Sequence, residues 1–276
     1  MIKVGNIKVE ANHFPDHSLL VKFDPYVVEV TDKFHIIFEW YYENDTELFT
    51  LICLKRHIDE HWLGNYSTLY MPYIGHARMD RVKNDEDVFT LKYFCEVINS
   101  LHFDKVIVRD AHSNVSLALL NNVIEEPIKP FITEAINQSG ADALFFPDEG
   151  AMKRYSGGFQ MPYAFGMKKR DWETGQILGL DIINADVVKD KNILIVDDIC
   201  SRGGTFYHSA KALKAAGAKS VSLYITHCEG SITTGDLAAS DGLVDHVYTT
   251  KSIFPARLFW DSADPYWKEW ITVLED

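Results

Sequence analysis

The sequence predicts an α/β protein of two domains, each a mostly parallel sheet flanked by helices. Three observations carry that expectation. Segments of strand character alternate with segments of helical character, as repeated strand–helix–strand units do. Each half holds an apolar strand that ends in Asp or Asp-Asp and runs into a polar turn. The 276 residues are long for one core and comfortable for two. The Pro-containing stretch Glu125–Pro130 is the best candidate boundary, giving domains of 1–125 and 126–276.

Taken in order, the clearest helix is Thr90–His102, where Leu91, Phe94, Cys95, Ile98 and Leu101 fall on one face. Lys105–Arg109 follows as a buried strand ending at Asp110. A second unit comprises a strand at Asn192–Val196, a helix at Phe206–Ala216 and a strand at Ser220–His227. In that last strand Val221, Leu223 and Ile225 alternate with Ser222, Tyr224 and Thr226, the period of a half-buried strand. The tail Phe259–Glu275 reads as a helix whose Trp267 and Trp270 serve a core or an interface.

Composition bounds the function. The apolar fraction of 47% and aromatic fraction of 13% are those of a globular chain. No apolar run reaches the ~18 residues of a membrane span, and no signal-peptide pattern opens the chain. A cytoplasmic protein with no membrane partner is expected. Cys53, Cys95, Cys200 and Cys228 form no CxxC pair and read as reduced, mostly buried thiols. A formal charge of −13 gives no long-range attraction for nucleic acid, so no nucleic-acid partner is expected. Any polyanion must be held by local cations and backbone amides.

The segment Ile193-Leu194-Ile195-Val196-Asp197-Asp198-Ile199-Cys200-Ser201-Arg202-Gly203-Gly204-Thr205-Phe206 carries most of the chemistry. Paired glycines let successive N–H groups approach an anion without an intervening side chain. The helix that follows offers unpaired N–H groups and a partial positive charge at its start. Ser201 and Thr205 add hydroxyl donors, and Arg202 adds a cation. Asp197 and Asp198 can accept hydrogen bonds from ribose hydroxyls, or hold magnesium through water. An ordinary strand–turn–helix with Thr205 as N-cap is the plainer alternative. The acidic pair at a fixed offset behind an apolar strand favours a phosphate cradle.

With that segment the chain resembles the type I phosphoribosyltransferase fold family, although Ser201-Arg202 stands where Asp-Thr is usual. Other motifs resemble one branch of it, the phosphoribosyl pyrophosphate synthetase family. Met71-Pro72-Tyr73-Ile74-Gly75-His76-Ala77-Arg78-Met79-Asp80-Arg81 is similar to that family's Pro-Tyr-x-x-Tyr-Ala-Arg-Gln-Asp-Arg. Asp110-Ala111-His112-Ser113 is similar to its Asp-Leu-His-Ser/Ala, and Pro147-Asp148-Glu149-Gly150 to its Pro-Asp-x-Gly. Lys168-Lys169-Arg170 looks like the Lys-Arg-Arg of its mobile catalytic loop, with Gly157, Gly158 and Gly166 supplying flexibility. Thr226-His227 matches its Ala-Thr-His. Ordinary phosphoribosyltransferases lack the first three motifs.

The resemblance implies two phosphoribosyltransferase-like domains, a homo-oligomer, and transfer of the β,γ-diphosphoryl group of ATP to the 1-hydroxyl of ribose 5-phosphate, releasing AMP. It implies Mg2+ as cofactor near His112 and Asp148. ATP would be held by Arg78, Asp80, Arg81 and His112, and Lys168, Arg170 and His112 would act in catalysis. The acceptor would be held by Asp197, Asp198, Ser201, Arg202, Gly203, Gly204 and Thr205. The family's early Phe-x-Asp-Gly-Glu element has no counterpart in Phe34–Glu43, and Met79 replaces its Gln. Phage-type relatives of these synthetases also resemble the chain, and some make ADP-ribose 1-pyrophosphate for NAD synthesis. Arg202 fits that reading, because a diphosphate bridge gains from a fixed cation. A phosphoribosyltransferase and a non-catalytic regulator on the same fold are the remaining alternatives.

Overall fold

A computed structural model describes residues 1–28, 35–170, 177–238, 242–254 and 269–274. The chain divides into two compact units, Met1–Pro127 and Ile128–Asp276. The boundary expected after residue 125 falls inside a strand, so the first unit runs on to Pro127.

The first unit opens with the short strands β1 (Ile2–Val4), β2 (Ile7–Val9), β3 (Ala11–His13) and β4 (Leu19–Val21). Then come β5 (His35–Trp40), α1 (Thr46–His61), β6 (Tyr66–Tyr70), α2 (Thr90–Ser100), β7 (Lys105–Arg109), α3 (Asn114–Leu119) and β8 (Val123–Glu126). The main sheet has the order β2-β1-β5-β6-β7-β8. β5 to β8 run parallel, while β1 pairs antiparallel with β2 and β5. Alternation decides the packing. Ile36, Phe38 and Trp40 of β5 are fully buried and meet Leu51, Leu54 and Ile58 of α1. Leu91, Phe94, Cys95 and Ile98 of α2 join the same core. Burying each such side chain is worth about 1.5–3 kcal/mol relative to exposure.

The second unit contains α4 (Lys129–Ser139), β9 (Ala143–Phe146), α5 (Glu149–Tyr155), β10 (Tyr163–Arg170), β11 (Ile177–Ile183) and β12 (Asn192–Cys200). It continues with α6 (Gly204–Ala215), β13 (Ser220–Cys228), β14 (His246–Thr250) and β15 (Ile271–Leu274). Its sheet has the order β11-β10-β9-β12-β13-β14-β15, parallel throughout except for β10 with β11. Successive residues of β12 serve opposite faces. Ile193 and Ile195 pack with Phe206, Ala210 and Leu213 of α6. Leu194 and Val196 pack with Phe131, Ile132 and Ala135 of α4 and with Ala151 and Tyr155 of α5.

Covering both faces corrects one expectation. β13 alternates in sequence, yet Ser222, Tyr224 and Thr226 are buried along with Val221, Leu223 and Ile225, because helices lie on either side. The tail is corrected too: Ile271–Leu274 is a strand, parallel to β14, where a helix was expected. Trp270 is buried and donates from Nε1 to the Val244 carbonyl at 3.1 Å, while Trp267 lies outside the described residues.

Lys168, Lys169 and Arg170 belong to β10 rather than to a loop, their backbone paired along β11 with a register shift at Lys169/Arg170. Gly166 is no hinge. A Cβ there would come within 2.6 Å of the Pro147 carbonyl oxygen and 2.8 Å of Leu180, so this glycine permits a close approach of neighbouring strands.

Candidate active site

The chain leaves β9 toward β10 on one side and β12 toward β13 on the other, so the strand order reverses between β9 and β12. Ligands of open α/β sheets gather at the carboxyl ends of strands flanking such a reversal. Pro147 and Asp148 follow β9, and Asp197 and Asp198 lie near the end of β12.

Beyond β12 the turn 201–203 delivers the chain to α6. Gly203 is the N-cap, with φ of +85°, a conformation costly for any residue carrying a Cβ. A Cβ on Gly203 would also lie 2.6 Å from Leu237 Cδ1. Thr205, the alternative cap in sequence, is instead inside the helix and accepts from Ser209 Oγ at 2.9 Å through its carbonyl. The turn is braced from behind by the segment 229–237. Ser201 Oγ lies 3.1 Å from Ser231 Oγ, and the Asp236 N–H donates to the Arg202 carbonyl at 3.0 Å. Gly235 is required there, because a Cβ would overlap that same carbonyl. Arg202 and Thr205 are exposed, and the first N–H groups of α6 have no intrahelical acceptor. The Asp236 carboxylate stands beside the cradle, 3.2 Å from where a Cβ of Gly204 would be.

The two acids occupy different settings. Asp198 faces α5, as its bond from Arg154 shows, and alternation directs Asp197 to the opposite face of the strand. Asp198 Oδ2 accepts from Arg154 Nη1 of α5 at 2.9 Å. Asp197 Oδ1 accepts from the Asp198 N–H at 3.0 Å. At the other end of α5, Asp148 is the N-cap and accepts from the Ala151 N–H at 3.1 Å. The backbone of Lys168 and Arg170 stands on β10, and their side chains lie outside what is described.

The first unit gathers a separate group. Residues 71–81 follow β6, shaped by Gly75, whose missing Cβ leaves room for the Tyr42 ring at 2.8 Å. Arg81 Nε donates to Asp80 Oδ1 at 2.8 Å; Asp80 is nearly buried, whereas Arg81 and Arg78 are exposed. Burial works against ionisation of Asp80. The Arg81 hydrogen bond, the nearby Ser113 hydroxyl and the charges of Arg81 and His112 outweigh it, holding the carboxyl below its ordinary value. The Ser113 hydroxyl is near enough to contribute, yet makes no hydrogen bond of normal geometry. His112 follows Asp110, a buried residue with φ of +42° at the end of β7. Arg81, Asp80 and His112 are thus brought together. His112 and Asp148 belong to different units.

Among the described residues no group of three or more His, Cys, Asp or Glu forms a metal cage. Magnesium is commonly held by one or two carboxylates plus substrate phosphates, and Asp148 is a donor of the kind it takes. No helix among the described residues is long and apolar enough to cross a membrane.

Comparison with known proteins places this geometry. Residues 159–254 match the phosphoribosyl transferase domain family. The chain is 26% identical over 251 residues to a ribose-phosphate pyrophosphokinase of Pyrococcus furiosus, covering 89% of this chain and 86% of that one. A ribose-phosphate pyrophosphokinase of Mesorhizobium japonicum is 30% identical over 199 residues, 69% of this chain and 62% of its own. The phosphoribosylpyrophosphate synthetase of Mycobacterium smegmatis superposes with a TM-score of 0.73 at 18% identity, over 97% of this chain and 85% of that one. Over most of its length the chain is similar to ribose-phosphate pyrophosphokinases.

Sequence reasoning missed four residues around the cradle: Arg154, Ser231, Gly235 and Asp236. Gly235 left a faint signal, as a glycine beside an acid after a strand end. Arg154 left none, since its partner is chosen by how α5 crosses β12.

Proposed function

We propose that the chain is a magnesium-dependent pyrophosphokinase that transfers the β,γ-diphosphoryl group of ATP to the 1-hydroxyl of a 5-phosphorylated ribose. The observation that carries the acceptor side of this reading is the cradle itself. A left-handed glycine cap opens α6 directly after a strand bearing two carboxylates, at the reversal of strand order. The amides of Gly204 onward and the hydroxyls of Ser201 and Thr205 would take the 5-phosphoryl group. Asp197 and Asp198 would accept from the ribose hydroxyls and so fix the sugar ring.

In phosphoryl chemistry of this kind the protein mainly aligns the nucleophile and meets developing charge. Arg78, Arg81 and His112 are assigned to the ATP phosphates, with Asp80 holding Arg81 in place. Lys168 and Arg170 are assigned to the diphosphoryl group as its bond to the AMP moiety breaks. Bound Mg2+ would neutralise phosphate charge, with His112 its candidate residue in the first unit and Asp148 in the second. Lys168→Ala is expected to lower turnover much more than it raises the ATP KM, because the charge it meets develops late.

Two acceptors fit the cradle: ribose 5-phosphate, and a 5-substituted ribose such as ADP-ribose. The second is favoured by a specific observation. Asp236 brings a carboxylate beside Gly204, which disfavours a terminal phosphate dianion, and exposed Arg202 suits a diphosphate bridge. Offering both acceptors with ATP and Mg2+ and weighing the products by mass spectrometry separates the readings. Efficient product from ribose 5-phosphate alone removes the ADP-ribose reading; product from ADP-ribose alone establishes it; product from neither overturns the proposal.

A further inference from the structure

We propose that Arg154 is a positioning residue that fixes Asp198 for acceptor binding, so that the two adjacent acids of β12 do different work. The inference rests on the acceptor reading given above and adds a residue and a division of labour to it. It begins with strand geometry. Neighbours in a strand point to opposite faces, so Asp197 and Asp198 cannot present equivalent carboxylates to one side. Asp198 lies on the α5 face, is 8% exposed, and has one carboxylate oxygen bound by Arg154 Nη1 at 2.9 Å. By alternation Asp197 falls on the opposite face from Asp198.

Arg154 is itself held. Its guanidinium lies 5.7 Å from the ring centroid of Tyr155, which is buried against Phe146. It sits six residues after Asp148 on one short helix, so α5 joins a candidate metal residue at its first turn to an acceptor acid at its last. A planar guanidinium that is stacked and bonded sets the carboxylate's orientation, which a water shell would leave to rotate. Removing it takes from a nearly buried carboxylate the charged hydrogen bond that orients this oxygen. The loss should therefore fall on acceptor binding, through Asp198 and not through Asp197.

The test is steady-state kinetics on the full chain with ATP, Mg2+ and whichever of ribose 5-phosphate or ADP-ribose the wild type uses. The variants are Arg154→Met, Arg154→Lys, Asp198→Asn and Asp197→Asn, with both doubles that contain Arg154→Met. Hydrogen bonds to charged groups of this kind correspond to roughly 10- to 100-fold in binding. Arg154→Met is expected to raise the acceptor KM by that factor while the ATP KM stays within about two-fold. Arg154→Lys should recover part of the loss. Arg154→Met should add little to Asp198→Asn but its full effect to Asp197→Asn. An unchanged acceptor KM overturns the inference, as does additivity with Asp198→Asn or an equal rise in the ATP KM. Should Arg154→Met fail to fold, Arg154→Lys alone and combined with Asp198→Asn carries the same contrast. If the wild type turns over neither acceptor, the functional reading fails. Calorimetric titration of ribose 5-phosphate then decides on Arg154 separately: weaker binding to the variant supports it, and equal binding, or none to the wild type, overturns it.

Discussion

At the scale of single residues, the cradle depends on two glycines with different physical duties. Gly203 supplies a left-handed backbone and leaves space for Leu237; Gly235 leaves space for the Arg202 carbonyl. Gly203→Ala should cost about 1–2 kcal/mol for the backbone conformation and a further ~1–3 kcal/mol for crowding Leu237. Urea denaturation measures the combined loss, and acceptor KM should rise at the same time because the amides of α6 are displaced. A variant of wild-type stability and wild-type acceptor KM would show that the turn is not held as described. The residues of this turn could be read from the sequence because glycines and hydroxyls next to an acidic pair have few other uses together. The pairing of Asp198 with Arg154 could not. It is a contact between residues 44 positions apart, set by how a helix lies across a strand.

At the scale of elements, local pattern succeeded where one force decided the outcome. Lys105–Arg109 is a strand with the bounds expected, and the buried stripe of α2 falls at Leu91, Phe94, Cys95 and Ile98 as spacing implied. Pattern failed where a neighbour decided. β13 is buried on both faces by helices that its own alternation cannot reveal. Basic residues 168–170 became strand because β11 pairs with them, and Ile271–Leu274 became strand because β14 offers its edge. The tie between β14 and β15 carries its own pH dependence. His246 Nε2 lies 2.8 Å from Thr272 Oγ1, and burial depresses the imidazole pKa from its ordinary 6.5. Between the depressed value and 6.5 the unfolded chain binds more protons than the folded one, so stability rises with pH across that window and levels off above it. The slope from this group cannot exceed about 1.4 kcal/mol per pH unit. Melting temperatures from pH 5 to 7.5 should rise less steeply for His246→Gln than for the wild type. Parallel curves would show that His246 is not the group responsible.

At the scale of the whole molecule, the chain distributes its candidate chemistry over two units. Met1–Pro127 carries the group of Arg81, Asp80 and His112, and Ile128–Asp276 carries the acids, the glycine cradle and α5. The phosphoribosyl transferase domain match lies wholly in the second unit, whereas the likeness to the Pyrococcus furiosus pyrophosphokinase covers 89% of the chain. A cradle of this kind alone is equally suited to consuming a diphosphorylated sugar and to making one. On the proposed reading the residues of the first unit separate those directions, since they would provide arginines and a histidine for a nucleotide's phosphates. The nucleotide left behind therefore tests the proposal most directly. Chain, ATP, Mg2+ and the acceptor sugar, followed by phosphorus NMR, should yield AMP in equal amount to sugar 1-diphosphate, with neither formed when the sugar is withheld. ADP in place of AMP, or AMP that accumulates without the sugar, would contradict transfer of the diphosphoryl group as one piece.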